Sequence, residues 1–265
     1  MNALFANGVG QWNLVSFLIE KLELEGTLGA TAVTIGGVLL CMIVPYLLGS
    51  FNFGLIISQK KYNDDIRSHG SGNAGTTNML RTYGKKAAVL TLLGDMMKAF
   101  VAVGLGYLIL NLNYQGIDPV TEETVWIRDS AGAAIAGLFV MLGHMFPCFY
   151  KFKGGKGVAT SGMVILMISW PSFLILFVIF VIIVLGTRYV SLGSVMCLAL
   201  YPVILTAFSG GQNGTACLTA VLMAVLVIYM HRANIKRLWQ GQESKISLGK
   251  GKKKKDDTDT PAVNP

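Results

Sequence analysis

The sequence predicts an all-α integral membrane protein of seven transmembrane helices, with its N-terminus outside and its C-terminus cytoplasmic. Three observations carry that prediction. Of 265 residues, 53% are hydrophobic and 14% charged, with a mean hydropathy of +0.57, which is too apolar for a water-soluble chain of this size. Long uncharged stretches recur between short polar connections, and helices satisfy their own backbone groups in lipid. Lysine and arginine also collect in every second connection, as short cytoplasmic loops do.

Residues 1–27 read as an interfacial segment. Trp12 to Leu24 mixes apolar positions with Glu20, Lys21 and Glu23, and lacks the basic start and small-residue cleavage site of a signal peptide. Leu28 to Phe53 is the first stretch with the roughly 20 apolar residues needed to cross the hydrocarbon. Lys86 to Leu110, Ser130 to Phe149, Gly157 to Ser169, Ser172 to Gly186, Val190 to Phe208 and Gly214 to Met230 follow. A single helix from Gly157 to Gly186 would run about 45 Å and contain Pro171, so two short crossings are expected there. Residues 28–246 thus form one membrane domain, and 247–265 a disordered, lysine-rich tail.

Charge sets the parity. Seven crossings put Lys60, Lys61, Arg67, Arg81, Lys85, Lys86, Lys151, Lys153, Lys156, Arg188, Arg232, Lys236, Arg237 and the tail on one side. The opposite connections hold Lys21 and Arg128 among the acids Glu20, Glu23, Glu25, Asp118, Glu122, Glu123 and Asp129. The net charge of +8 therefore points to anionic lipid or an anionic substrate, and no nucleic-acid reading motif accompanies it. Cys41, Cys148, Cys197 and Cys217 stand singly in apolar stretches, so buried small hydrophobes are expected rather than a metal site.

Three basic-side segments carry chemistry. Arg67 to Arg81, RSHGSGNAGTTNMLR, alternates glycines with donors ahead of a helix. Gly70, Gly72 and Gly75 permit close backbone approach, Ser71, Asn73, Thr76, Thr77 and Asn78 donate, and Arg81 can fork onto phosphate or carboxylate. The plainer reading is a flexible polar connection, and the formal G-x-G-x-x-G has no strand before it.

Gly143 to Thr160, GHMFPCFYKFKGGKGVAT, ends a span at Pro147 and opens the next helix on a basic glycine turn. Lys153, Gly154, Gly155, Lys156 and Gly157 suit a phosphate at a helix start, or merely a lysine cluster beside a hinge. Past the last span, His231 and Asn234 share a helix face, although a lone interfacial histidine also serves as an anchor. Asp95 and Lys98 lie at i and i+3 inside a span, as an ion pair or beside a watery site. Arg188 and Ser191, at the start of the sixth span, fall on the same side and are expected to reach the same substrate, with His144 near that face.

Together and in this order, GSGNAGTTN at 70–78 with Arg81, GHMFP at 143–147, FKGGKGVAT at 152–160, RYVSLGS at 188–194 and the pattern His231, Asn234, Arg237, Leu238, Gly241, Glu243 resemble the bacterial acyl-phosphate-dependent glycerol-3-phosphate acyltransferases. The resemblance spans roughly Val44 to Ile246, and Thr76 stands where that family usually has alanine. It implies a multi-pass protein of the bacterial cytoplasmic membrane, working without a cofactor, that moves a fatty acyl group from acyl phosphate to glycerol 3-phosphate. It also implies phosphate binding by Ser71, Gly72, Asn73, Thr77, Asn78 and Arg81 and by Gly154, Gly155, Lys156 and Gly157, with His231 and Asn234 completing the pocket and Glu243 holding the C-terminal segment.

No nucleophile elbow and no H-x-x-x-x-D is present, so direct transfer is expected rather than an acyl-enzyme. The hydroxyl proton goes to the donor's phosphate, the favoured route, or to His231. The rival reading is a carrier of an anionic phosphorylated metabolite, which would show inverted repeats that this sequence lacks.

Overall fold

A computed structural model describes residues 13–117, 124–210 and 213–246. The start of the interfacial segment at residues 1–12, Asp118, Glu122, Glu123 and the tail 247–265 lie outside the described residues.

Helices occupy all seven expected stretches: α2 (Leu28–Ser50), α5 (Lys85–Ile109), α6 (Ala131–Met145), α7 (Val158–Ile168), α8 (Trp170–Thr187), α9 (Val190–Ser209) and α10 (Gly214–Met230). Around them stand α1 (Leu14–Lys21), α3 (Phe53–Tyr62), α4 (Thr76–Tyr83) and α11 (Arg232–Trp239). Among the described residues, five segments are long and apolar enough to cross a membrane, or up to six when α10 and α11, bent by 58°, count as one. The expected seven are therefore not met by length: α7 has 11 residues, about 16 Å at the α-helical rise. It nevertheless reaches far, because Met167 O accepts a 3.1 Å hydrogen bond from Tyr107 near the end of α5.

The all-α expectation needs one amendment. Residues 112–117 (β1) and 124–129 (β2) pair as an antiparallel hairpin, with Leu112 opposite Asp129. This connection joins α5 to α6 at the end away from the basic loops. Backbone outside the hydrocarbon is free to pair this way.

Small residues set how the helices meet. Lipid gives apolar side chains little reason to associate, so close backbone approach does much of the work. The most enclosed helix, α6, packs against α2, α5, α7 and α10. A Cβ on Gly49 of α2 would fall 2.2 Å from Val140 O, and one on Gly143 would fall 2.1 Å from Tyr46 O. These two contacts press the last turns of α2 and α6 together beneath the basic loops. At the hairpin end, α1 inserts Val15 into the space left by Gly37, and Asn13 Nδ2 donates to Asn111 O over 3.4 Å.

Candidate active site

Asn78 builds the first loop. Its Oδ1 accepts the Ser71 N–H at 3.0 Å, while Nδ2 faces Ile66 O at 3.2 Å and the carbonyls of His69 and Asn73 at 3.0 Å each. One buried amide thus holds residues 66–73 in a curl over the start of α4. Gly70 is required there, since its φ is +53° and a Cβ would sit 2.3 Å from Asn78 Oδ1. Helix α4 then starts at Gly75 without a side-chain cap, and Thr76 Oγ1 is buried with no hydrogen-bond partner among the described residues.

The second loop folds back onto α6. Gly154 N–H donates to Met145 O and Gly155 N–H to His144 O, both at 3.1 Å. A Cβ on Gly155 would fall 2.1 Å from His144 Nε2. Gly157, at φ +80°, begins α7, again without a side-chain cap. Arg67 ties the two loops together: it pairs with Asp65 at 2.7 Å and donates to Tyr150 O at 3.1 Å and Lys153 O at 3.0 Å.

The third segment closes the mouth. At the bend between α10 and α11, His231 Nδ1 lies 2.8 Å from Val227 O, so that nitrogen carries the proton and Nε2 is left able to accept. Asn234 donates to Glu243 Oε1 at 2.6 Å and accepts from Lys156 Nζ. Glu243 also receives Ser191 Oγ at 2.7 Å and Arg237 Nε at 2.8 Å. The strap 241–246 is pinned further where Arg81 donates to Ser244 O at 3.2 Å and Ile246 N–H to Arg188 O at 2.9 Å.

These parts surround one cavity of about 970 Å³. Of the residues expected from sequence, Ser71, Asn73, Thr77, Asn78, Arg81, His144, Lys156, Gly157, Ser191, His231, Asn234 and Glu243 line it. Gly72, Lys153, Gly154, Gly155 and Arg188 do not. Gly72, at φ +69°, shapes the first loop, and the N–H groups of Gly154 and Gly155 are already bonded to α6. Lys153 and Arg188 expose their side chains and contribute backbone carbonyls instead.

Sequence reasoning named no residue of the apolar half. Below the polar mouth, Phe173, Phe177 and Phe180 of α8 line the cavity with Ile165, Leu176 and Leu198. Their spacing of four and three puts the phenylalanines on one helix face, a signal hidden because α8 is apolar all round.

Charge at the mouth is positive. Burial lowers the Lys156 pKa to about 8, with the nearby Glu243 carboxylate opposing the fall and Arg237 and Arg81 adding to it. Burial alone would raise the Glu243 pKa, but the hydrogen bonds from Asn234, Ser191 and Arg237 hold it below the usual carboxylate value. Two uncapped helix starts add about half a positive charge each. Such a site can hold phosphate at its mouth and an alkyl chain beneath it.

A family model described as glycerol-3-phosphate acyltransferase matches residues 39–241. The glycerol-3-phosphate acyltransferase of Paraburkholderia phymatum is 40% identical over 218 residues, 82% of this chain and 94% of that protein. That of Bacillus subtilis is 39% identical over 207 residues, covering 78% and 96%. Among solved structures, the crystal structure of PlsY, an integral membrane glycerol 3-phosphate acyltransferase, in its glycerol 3-phosphate form is similar at a TM-score of 0.67. It shares 36% sequence identity and covers 79% of this chain and 96% of that one. The lysophosphatidic acid form gives 0.64 and 35%, with coverages of 79% and 95%.

Proposed function

The chain belongs to the glycerol-3-phosphate acyltransferase family, and on that footing we propose that it transfers a fatty acyl group from acyl phosphate to the sn-1 hydroxyl of glycerol 3-phosphate. The products are lysophosphatidic acid and inorganic phosphate. The observation that carries this reading is the division of one cavity into a cationic mouth and an aromatic, apolar floor. We place the mouth on the cytoplasmic face of the bacterial inner membrane, with seven crossings, because the lysines and arginines of the sequence gather on that side.

Both substrates are phosphate anions that repel each other. Arg81, Lys156 and the starts of α4 and α7 offset that repulsion and leave the hydroxyl facing the acyl carbonyl. Ser71, Asn73, Thr77, Asn78 and Ser191 supply orientation, and Glu243 keeps Asn234 and Arg237 in place. The apolar floor adds direction more than affinity, since an acyl chain leaving lipid for an apolar groove gains little.

In the step itself the glycerol 3-phosphate oxygen bonds to the acyl carbon, the carbon–oxygen bond to phosphate breaks, and the hydroxyl proton ends on the departing phosphate. His231 lines the same cavity, and its Nε2, free to accept, helps orient that hydroxyl. Purified protein given palmitoyl phosphate and labelled glycerol 3-phosphate should form lysophosphatidate without coenzyme A. Uptake of glycerol 3-phosphate into vesicles with no acylation would instead mark a carrier. If His231→Gln keeps nearly full turnover while Ser71→Ala and Arg81→Ala lose it, the proton goes to substrate.

A further inference from the structure

Inside the helices, three ionisable groups are gathered away from solvent. Asp95 and Lys98, one turn apart on α5, and His144, in the last turn of α6, expose 1%, 6% and 3% of their surfaces. Lys98 Nζ lies 2.9 Å from Asp95 Oδ1, 2.9 Å from His144 Nδ1, and 3.0 Å from each carbonyl oxygen of Gly49 and Phe51. Those carbonyls end α2, where a cation is favoured because they have no partner within the helix. A plain ion pair would need only Asp95. The remaining contacts join the ends of α2 and α6 through α5.

From His144 the contacts continue to the mouth. Its carbonyl accepts the Gly155 N–H, its Nε2 edge lies under Gly155 so closely that a Cβ would not fit, and Lys156 is the next residue. Where Lys156 stands over the cavity thus depends on the His144 ring.

We propose that Lys98 is a positioning residue for the acyl transfer: its ammonium makes His144 Nδ1 an acceptor, which puts the imidazole proton on Nε2 beneath Gly155 and fixes the turn that carries Lys156. An ammonium has no lone pair, so the 2.9 Å contact requires Nδ1 to accept. Asp95 Oδ1 stands 3.4 Å from the same nitrogen. Without Lys98, an Nδ1–H would be drawn to that carboxylate and the tautomer would reverse. His231 gives the opposite reference state, with its proton on Nδ1 toward Val227 O. The kinetic part rests on the acyltransferase reading; the tautomer does not.

Nitrogen-15 NMR of histidine-labelled protein in lipid nanodiscs tests this, because the chain has three histidines, His69, His144 and His231, each assignable by one substitution. Wild-type His144 should be neutral with its proton on Nε2, and Lys98→Met should move that proton to Nδ1. Lys98→Met should lower kcat/KM about 30-fold, yet by less than about threefold in a His144→Ala background, because it acts through that ring. Should Lys98→Met fail to fold, Asp95→Leu/Lys98→Met leaves no unpaired charge and no donor to hold Nδ1 as an acceptor, and should also lower kcat/KM. Wild-type His144 found as the Nδ1–H tautomer or as imidazolium overturns the proposal whatever the variants do, and so does a folded double variant with wild-type kcat/KM. Wild-type protein that forms no lysophosphatidate would overturn the acyltransferase reading and leave the tautomer readable.

Discussion

The two glycine-rich loops look alike as strings, yet they use their glycines in different ways. In residues 66–78 the glycines give the chain left-handed turns at Gly70 and Gly72, and one side chain, Asn78, holds the curl. In residues 152–157 Gly154 and Gly155 are flush against His144 and Met145, and their N–H groups are bonded to α6. The first loop therefore offers oriented polar groups. The second offers mainly the Lys156 ammonium and the start of α7. A glycine-rich run beside a helix is thus not by itself a phosphate cradle: the use of each N–H decides.

The largest effect should come from adding one methyl group. Gly155→Ala forces the His144 ring or the turn to move and should cut activity more than about 100-fold, whereas Gly72→Ala meets nothing closer than Arg67 O at 3.5 Å. Its φ of +69° costs about 1 kcal/mol, so a loss under about tenfold is expected. Equal losses in steady-state kinetics would erase the distinction between the loops.

Lys156→Met comes next, with kcat/KM lower by about 10²–10³, because the proposed site loses a preorganised charge. Asn78→Ala should follow at about 2–3 kcal/mol, read as a lower melting midpoint together with lost activity. Asn78→Asp should be no better, since a carboxylate would face the carbonyls of Ile66, His69 and Asn73.

A pH profile is the mildest probe. Burial brings the Lys156 pKa to about 8, so its charge is complete well below that pH and is lost as pH rises through it. The kcat/KM of the free enzyme should be level below about pH 8 and fall about tenfold per unit above it. Lys156→Arg should move that limb out of range, as arginine stays charged.

Much of this was legible beforehand. The helix positions follow from hydrophobic runs, because lipid penalises the alternatives steeply. Twelve of the expected site residues line the cavity, since donors and cations on three nearby connections had little other use. The roles of Gly154, Gly155 and Arg188 were not legible, because the choice between serving a ligand and serving the backbone is made by tertiary contact. The break between α7 and α8 was legible, since a single helix through Pro171 would overrun the hydrocarbon, and it falls at Ser169, which caps α8 by accepting the Ser172 N–H. The phenylalanines of α8 carried no contrast with their apolar neighbours.

Direct transfer within one cavity is the central claim, and rapid-quench kinetics reads it. Mixing the purified protein with palmitoyl phosphate and glycerol 3-phosphate should release phosphate and lysophosphatidate at the same rate and in equal amounts from the first turnover. No phosphate should appear when glycerol 3-phosphate is left out. A burst of phosphate without the acceptor, together with acyl groups bound to the protein, would contradict the account.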